Sequence, residues 1–167
     1  PQVRLIVLLR DPVERAYSHW KERRTEGKEP LDFPQALASE PERTAGERDR
    51  LIADPNYFSE PYDWYTYRAR GRYLEHLEPW LDRFDRAQFL FLTSEEFYRD
   101  TRSAYLRTLD FLGLPGHELP TFKVYNDRRS APMDDALRAE LTAYYQPHND
   151  ALAQRLGLRL DWAGAPR

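Results

Sequence analysis

Cysteine is absent from this 167-residue chain, which excludes disulfides and thiolate metal sites. Lysine is scarce, occurring only as Lys21, Lys28 and Lys123. None of the three stands in a Gly-, Ser- or Thr-rich turn between an apolar run and a helix, the setting in which a lysine cradles phosphates. Long hydrophobic runs are missing too. No stretch approaches the ~20 residues of a membrane helix, so no membrane span is expected, and with no leader segment visible the expected location is cytoplasmic. The four histidines are scattered without ligand spacing, so no metal is expected. A formal net charge of −3 leaves no cationic footprint for nucleic acid. Charged residues at 32 % and hydrophobic ones at 41 % describe a globular chain whose length suits one domain. Arginine far outnumbers lysine, which reads as genomic base bias.

The most informative stretch lies at the start. Residues 3–9 form an apolar, partly β-branched run interrupted only by Arg4, the pattern of a strand covered on both faces in a parallel sheet. Asp11 can cap a following helix, Pro12 suits its first position, and Glu14 completes a capping-box pattern. Val13, Ala16, Tyr17 and Trp20 then recur at helical spacing and predict its inner face. Arg10 therefore stands at the carboxyl end of a strand, the edge where open α/β sheets bind ligands. Ser18 follows eight residues later. A guanidinium and a neutral hydroxyl make a sensible donor pair for a phosphate. The same spacing also fits an arginine bonded to loop carbonyls and a serine exposed on a helix.

Residues 5–18, LIVLLRDPVERAYS, resemble the 3′-phosphate-binding motif of sulfotransferases, enzymes that use 3′-phosphoadenosine 5′-phosphosulfate (PAPS). The likeness is to bacterial members related to the heparan-sulfate and other carbohydrate sulfotransferases. It implies that Arg10 and Ser18 hold the cofactor 3′-phosphate.

Further along, Asp32 and Pro34 open a short helix whose inner residues are expected to be Phe33, Leu37 and Ala38. Residues 41–54 are charged, a solvated helix or ordered loop. Residues 55–67 collect Tyr57, Phe58, Tyr62, Trp64, Tyr65 and Tyr67. Such rings suit sugars as an acceptor platform, and they equally suit a loop pinned to the core. Tyr73, Leu77, Trp80, Leu81 and Phe84 fall on one helical face, which Pro79 is expected to kink or split. The Gly71, Tyr73, Leu77 and Trp80 spacing again resembles the sulfotransferase pattern. His76 reads as a helix-surface residue rather than a base. Residues 88–92 are a second strand, with Thr93 and Glu96 as a capping box. A helix then runs to Leu112 with Gly113 as its cap. Strand, helices, strand, helix describe an α/β domain with parallel pairing.

Arg128 and Arg129 stand in a loop before a predicted helix, where they suit an anion clamp or a solvated charge pair. The resemblance implies that one of them closes over the cofactor phosphates. Two helices, parted at Pro147, are expected to finish the chain. His148 and Asn149 stand near that break, where they can bond the Arg128–Arg129 loop or serve as caps.

The resemblance runs from Leu5 to Trp162 but lacks the family's Lys-bearing 5′-phosphosulfate loop and its usual general base. It therefore implies one partial sulfotransferase domain over residues 1–167. The implied fold is a three-layer, P-loop-NTPase-like parallel sheet flanked by helices, without its N-terminal strand. The implied reaction moves a sulfuryl group from PAPS to a hydroxyl or amine of a small-molecule or carbohydrate acceptor, with no metal. This chain would be the C-terminal part, inactive alone and with no assignable catalytic residue. The alternative is a non-catalytic remnant that binds a nucleotide or a protein.

Overall fold

The computed structural model describes residues 3–122 and 132–162. The chain forms two compact units, Pro1–Asp11 with Leu77–Pro132 and Pro12–His76 with Met133–Arg167.

The first unit is α/β. Strand β1 (Leu5–Leu9) pairs in parallel with β2 (Phe89–Thr93), in a register that sets Leu5 opposite Phe89 and Leu9 opposite Thr93. Among the described residues these two strands are the whole sheet. Phe89, Phe91 and Leu92 are buried, as a continuous apolar run predicts. β1 departs from the expectation of burial on both faces. Leu9 is 3 % exposed, but Ile6 is 45 % and Leu8 55 % exposed. Side chains alternate along a strand, so one face of β1 carries both open residues. The helices α6 (Ser94–Arg99) and α7 (Thr101–Leu112) lie against β2. Half of the predicted capping box forms at α6. The Thr93 hydroxyl accepts from the Glu96 N–H at 3.1 Å, while the Glu96 carboxylate pairs with Arg107. Gly113 is left-handed (φ 70°), and the Leu114 N–H returns to the Leu109 carbonyl, the Schellman closure that glycine permits.

The second unit is helical. It holds α1 (Pro12–Thr25), α2 (Phe33–Arg43), α3 (Glu47–Ala53), α4 (Glu60–Tyr65) and α8 (Asp135–Leu156). The predicted inner face of α1 is correct. Val13 and Ala16 are buried, and Tyr17 and Trp20 pack against the core with Phe33, Leu37, Tyr67, Leu141 and Tyr145. On α2 the inner residues are Phe33, Ala36, Leu37 and Glu40, and Ala38 is exposed. Asp32 and Gln35 form the capping box that fixes this phase.

Two prolines do not break their helices. The helix α5 (Tyr73–Leu81) continues through Pro79, and α8 runs unbroken through Pro147. A proline inside a helix costs about 3 kcal/mol. On α8, Leu141 and Tyr145 before it and Leu152 and Leu156 after it are all buried. Each such side chain contributes roughly 1.5–3 kcal/mol, so burial on both sides outweighs the lost bond. On α5, Trp80 points outward at 53 % exposure and stacks on Phe84, against the expectation of an inner face.

The segment 66–71 is held from several sides. The Glu40 carboxylate accepts from the Arg68 and Ala69 N–H groups at 2.7 and 2.8 Å. The Tyr145 hydroxyl donates to the Arg68 carbonyl at 3.0 Å, and Arg68 itself donates to the Leu37 carbonyl. Gly71 closes the segment against Tyr145, where a Cβ would meet the ring and hydroxyl at 2.7–2.8 Å. Tyr145 is fully buried and cannot retreat. Gly71→Ala is therefore expected to cost about 1–3 kcal/mol in chemical denaturation through overpacking. Gly116→Ala, at a position with nothing within 4 Å, is the control and should stay within about 0.5 kcal/mol.

Candidate functional site

Arg10 is the first residue beyond β1 and is half-buried. Ser18 is half-buried in α1, six positions after Pro12, or about 9 Å along the helix axis at 1.5 Å per residue. The two residues belong to different units, Arg10 to the first and Ser18 to the second. Arg128 and Arg129 lie outside the described residues. The strand-to-helix element expected around Arg10 and Ser18 is present, since β1 ends at Leu9 and α1 begins at Pro12. The Asp11 N–H donates to the Glu95 carboxylate at 3.1 Å, which ties this junction to α6 within the first unit.

The aromatic stretch after Pro55 is mainly a set of anchors. Tyr67 is fully buried, and its hydroxyl donates to Glu29 at 2.8 Å. Tyr65 donates to the Lys28 carbonyl and Tyr57 to Glu47. The Lys28 ammonium stands 4.3 Å over Trp64. Phe58 is the open ring, at 69 % exposure. Glu29 is buried, which pushes its carboxyl up. Bonds from Arg43, the Leu31 N–H and Tyr67 outweigh that and hold it below the usual range. Burial, with help from the Glu29 hydrogen bond and charge, raises the Tyr67 phenol far above its ordinary value. These groups are locked and serve packing. His76 bonds the Ala69 carbonyl at 3.2 Å and is likewise structural.

Sequence reasoning passed over a second group of residues. Arg15, His19 and Arg23 recur every four residues on α1, a spacing that puts them on one helix face. Arg15 donates to the Thr66 and Tyr67 carbonyls. The His19 ring meets the Tyr67 ring edge-on at 5.2 Å. Burial lowers the Arg15 pKa. Burial also pushes the His19 imidazole down to about 4, and the Arg15, Arg70 and Arg23 charges push the same way. His19 is thus neutral at pH 7. The four-residue repeat stands in the sequence, but nothing in the sequence shows that this face of α1 is covered.

Three comparisons bear on this chain. The sulfotransferase domain family model matches residues 1–133. Mouse heparan sulfate glucosamine 3-O-sulfotransferase 3B1 is 36 % identical over 117 residues, 66 % of this chain and 25 % of that protein. Human carbohydrate sulfotransferase 15 is 28 % identical over 173 residues, 93 % of this chain and 30 % of that protein. A crystal structure of a sulfotransferase from Alicyclobacillus acidocaldarius superposes with a TM-score of 0.74 at 30 % identity, covering 96 % of this chain and 57 % of that one. The chain thus spans between a quarter and a little over half of these relatives.

His19 also sets a pH dependence. An unfolded histidine titrates near 6.5 and the folded one near 4. Between those values the unfolded state binds a proton that the folded state does not. Stability should therefore be complete above pH 6.5 and fall as the pH drops toward 4, by up to roughly 3 kcal/mol. Urea denaturation at a series of pH values measures the slope. His19→Gln should remove most of it between about pH 6.5 and 5, a range above the carboxylate titrations.

Proposed function

Because this chain belongs to the sulfotransferase domain family, we propose that it is the part of a PAPS-dependent enzyme that binds the 3′-phosphate of the donor while a carbohydrate hydroxyl or amine is sulfated. The observation that carries this reading is the strand-to-helix element itself. Arg10 follows β1 directly and Ser18 lies in α1, inside a motif that resembles the family's phosphate-binding sequence. PAPS supplies the sulfuryl group and leaves as 3′-phosphoadenosine 5′-phosphate.

The donor set fits a phosphate. Arg10 brings a planar cation able to bond two oxygens at once, and Ser18 brings one neutral hydroxyl donor. Both would act on the end of the donor remote from sulfur, so their binding energy orients the reacting group rather than activating it. Arg128 and Arg129 supply further charge for the same phosphates. The carbohydrate part of the reading rests on the relatives, whose names place heparan sulfate glucosamine and carbohydrate among their acceptors.

The two lysines among the described residues are engaged elsewhere. The Lys21 ammonium sits 4.5 Å over the Tyr17 ring and Lys28 over Trp64. Neither occupies a strand-to-helix turn where it would meet a 5′-phosphosulfate. Donor binding without turnover is therefore the expected behaviour of residues 1–167. In calorimetry with 3′-phosphoadenosine 5′-phosphate, Arg10→Ala should weaken binding by about 30–100-fold, and Ser18→Ala by about 5–10-fold, as for a charge-assisted and a neutral bond. Unchanged affinity in both variants would remove the phosphate assignment. Transfer from labelled PAPS to a panel of sugars, phenols and amines by this chain alone would show that it carries its own base.

A further inference from the structure

The paired register of β1 ends at Leu9, opposite Thr93. Past that pair the two chains part into different helices, α1 and α6, and the ladder no longer dictates their path. Arg10 stands at this parting, and the residues on both sides of it are fixed. Before it, Leu9 is buried and paired. After it, the Asp11 N–H donates to Glu95 Oε1 at 3.1 Å. Pro12 is fully buried. Its ring sets its own φ and disfavours helical backbone at Asp11.

Glu95 reaches the Asp11 N–H because of the same register. Leu9 faces Thr93, so two further residues along each chain bring Asp11 level with Glu95. There β2 has already turned into the first turn of α6, and a side-chain carboxylate takes the place of a ladder carbonyl. A carboxylate accepting from a backbone N–H makes one of the stronger hydrogen bonds. The bond joins residues 84 apart in sequence. The adjacent glutamate does something else, since Glu96 pairs with Arg107 on α7. Arg10, Asp11 and Glu95 all belong to the first unit.

We propose that Glu95 is a positioning residue for Arg10: by holding the Asp11 N–H it fixes the backbone from which the Arg10 guanidinium meets the 3′-phosphate of the donor. The inference rests on the phosphate reading of Arg10. Charge and geometry make opposite demands on Glu95. It is an anion bonded next to a site for an anion, so its charge alone opposes donor binding. If charge were its whole contribution, removing it would tighten binding. Acting through geometry it has the other sign, because a cation displaced from its productive position loses binding energy.

The test is calorimetry of residues 1–167 with 3′-phosphoadenosine 5′-phosphate. Glu95→Ala should weaken binding by about tenfold. Glu95→Gln keeps an acceptor of the same reach without the charge, and should bind at least as tightly as the unsubstituted chain. Glu96→Ala, in the same helical turn, should stay within about twofold. In the Arg10→Ala background, Glu95→Ala should cost less than about a further twofold, since the two act as one unit. Without ligand, the Asp11 amide should exchange faster with solvent in Glu95→Ala and keep its protection in Glu95→Gln. If Glu95→Ala loses the native circular dichroism, Glu95→Asp, which withdraws the carboxylate by one methylene, carries the same expectations. Binding weakened by Arg10→Ala but not by Glu95→Ala overturns the role of Glu95 alone. So do additive losses in the double variant, or a Glu95→Gln variant as weak as Glu95→Ala. Binding unchanged in Arg10→Ala, or absent from the unsubstituted chain, overturns the phosphate reading and the role of Glu95 with it.

Discussion

The second unit depends on one buried carboxylate. Glu40 lies on the inner face of α2, where burial raises its pKa and would make an unpaired charge costly. Two backbone N–H groups, from Arg68 and Ala69, meet it instead. That arrangement satisfies the charge and fixes the path of the chain at once. With the 68–69 amides turned toward Glu40, the carbonyls of Tyr67 and Arg68 become available to Arg15 and Tyr145. Tyr145 in turn leaves room only for hydrogen at Gly71. The helices α1, α2 and α8 are thus tied to one short segment by polar contacts, inside a core that is otherwise apolar. Removing one member of such a network leaves the others buried and unmet, which costs more than the bond itself.

The first unit rests on a different constraint, the register of two parallel strands. A shift by one residue would exchange Leu9 with Leu8 and bury the wrong face. The side chains that fix this register are Leu9, Phe89, Phe91 and Leu92. Cations support the rim by covering rings. Arg4 stands 5.6 Å from the Phe111 ring centre and Arg86 4.8 Å from that of Phe91. The Gln88 amide donates to the Val3 carbonyl and holds the beginning of β1 to the approach of β2.

Where pattern and packing agree, the sequence was readable. The inner face of α1, the second strand (expected over 88–92, found at Phe89–Thr93) and the glycine cap of α7 each rest on a local rule that nothing distant opposes. The family could be read at the same level, since the LIVLLRDPVERAYS stretch and the Gly71–Trp80 spacing lie within the matched residues. Failures came where a distant contact overrode a local rule. Pro147 looked like a helix boundary, but Leu141 and Tyr145 before it belong to a core built largely from residues 13–67, and Leu152 and Leu156 after it are buried as well. Ile6 and Leu8 looked buried because their residue types cannot report how many neighbours a strand has. Glu40 could not be distinguished from the charged residues beside it, because its partners are backbone amides, which sequence does not reveal.

Arginine shows why composition cannot locate a binding site in this protein. Arg43 and Arg138 pair with the carboxylates Glu29 and Glu14, both at 2.6 Å. Arg4 and Arg86 cover aromatic rings, and Arg68 donates to the Leu37 carbonyl. Each of these is a cation whose field is answered from within the protein, so an abundance of arginine adds little net attraction for an anion. A binding arginine differs in having donors that the fold leaves for an occupant. A buried Nε without a partner does not single out such an arginine: Arg15, Arg23 and Arg72 each have one, while Arg15 donates to carbonyls and Arg23 and Arg72 pair with carboxylates. His19 between Arg15 and Arg23 gives the same result in a group that titrates. Its neutral form is favoured first by burial and then by the Arg15, Arg70 and Arg23 charges.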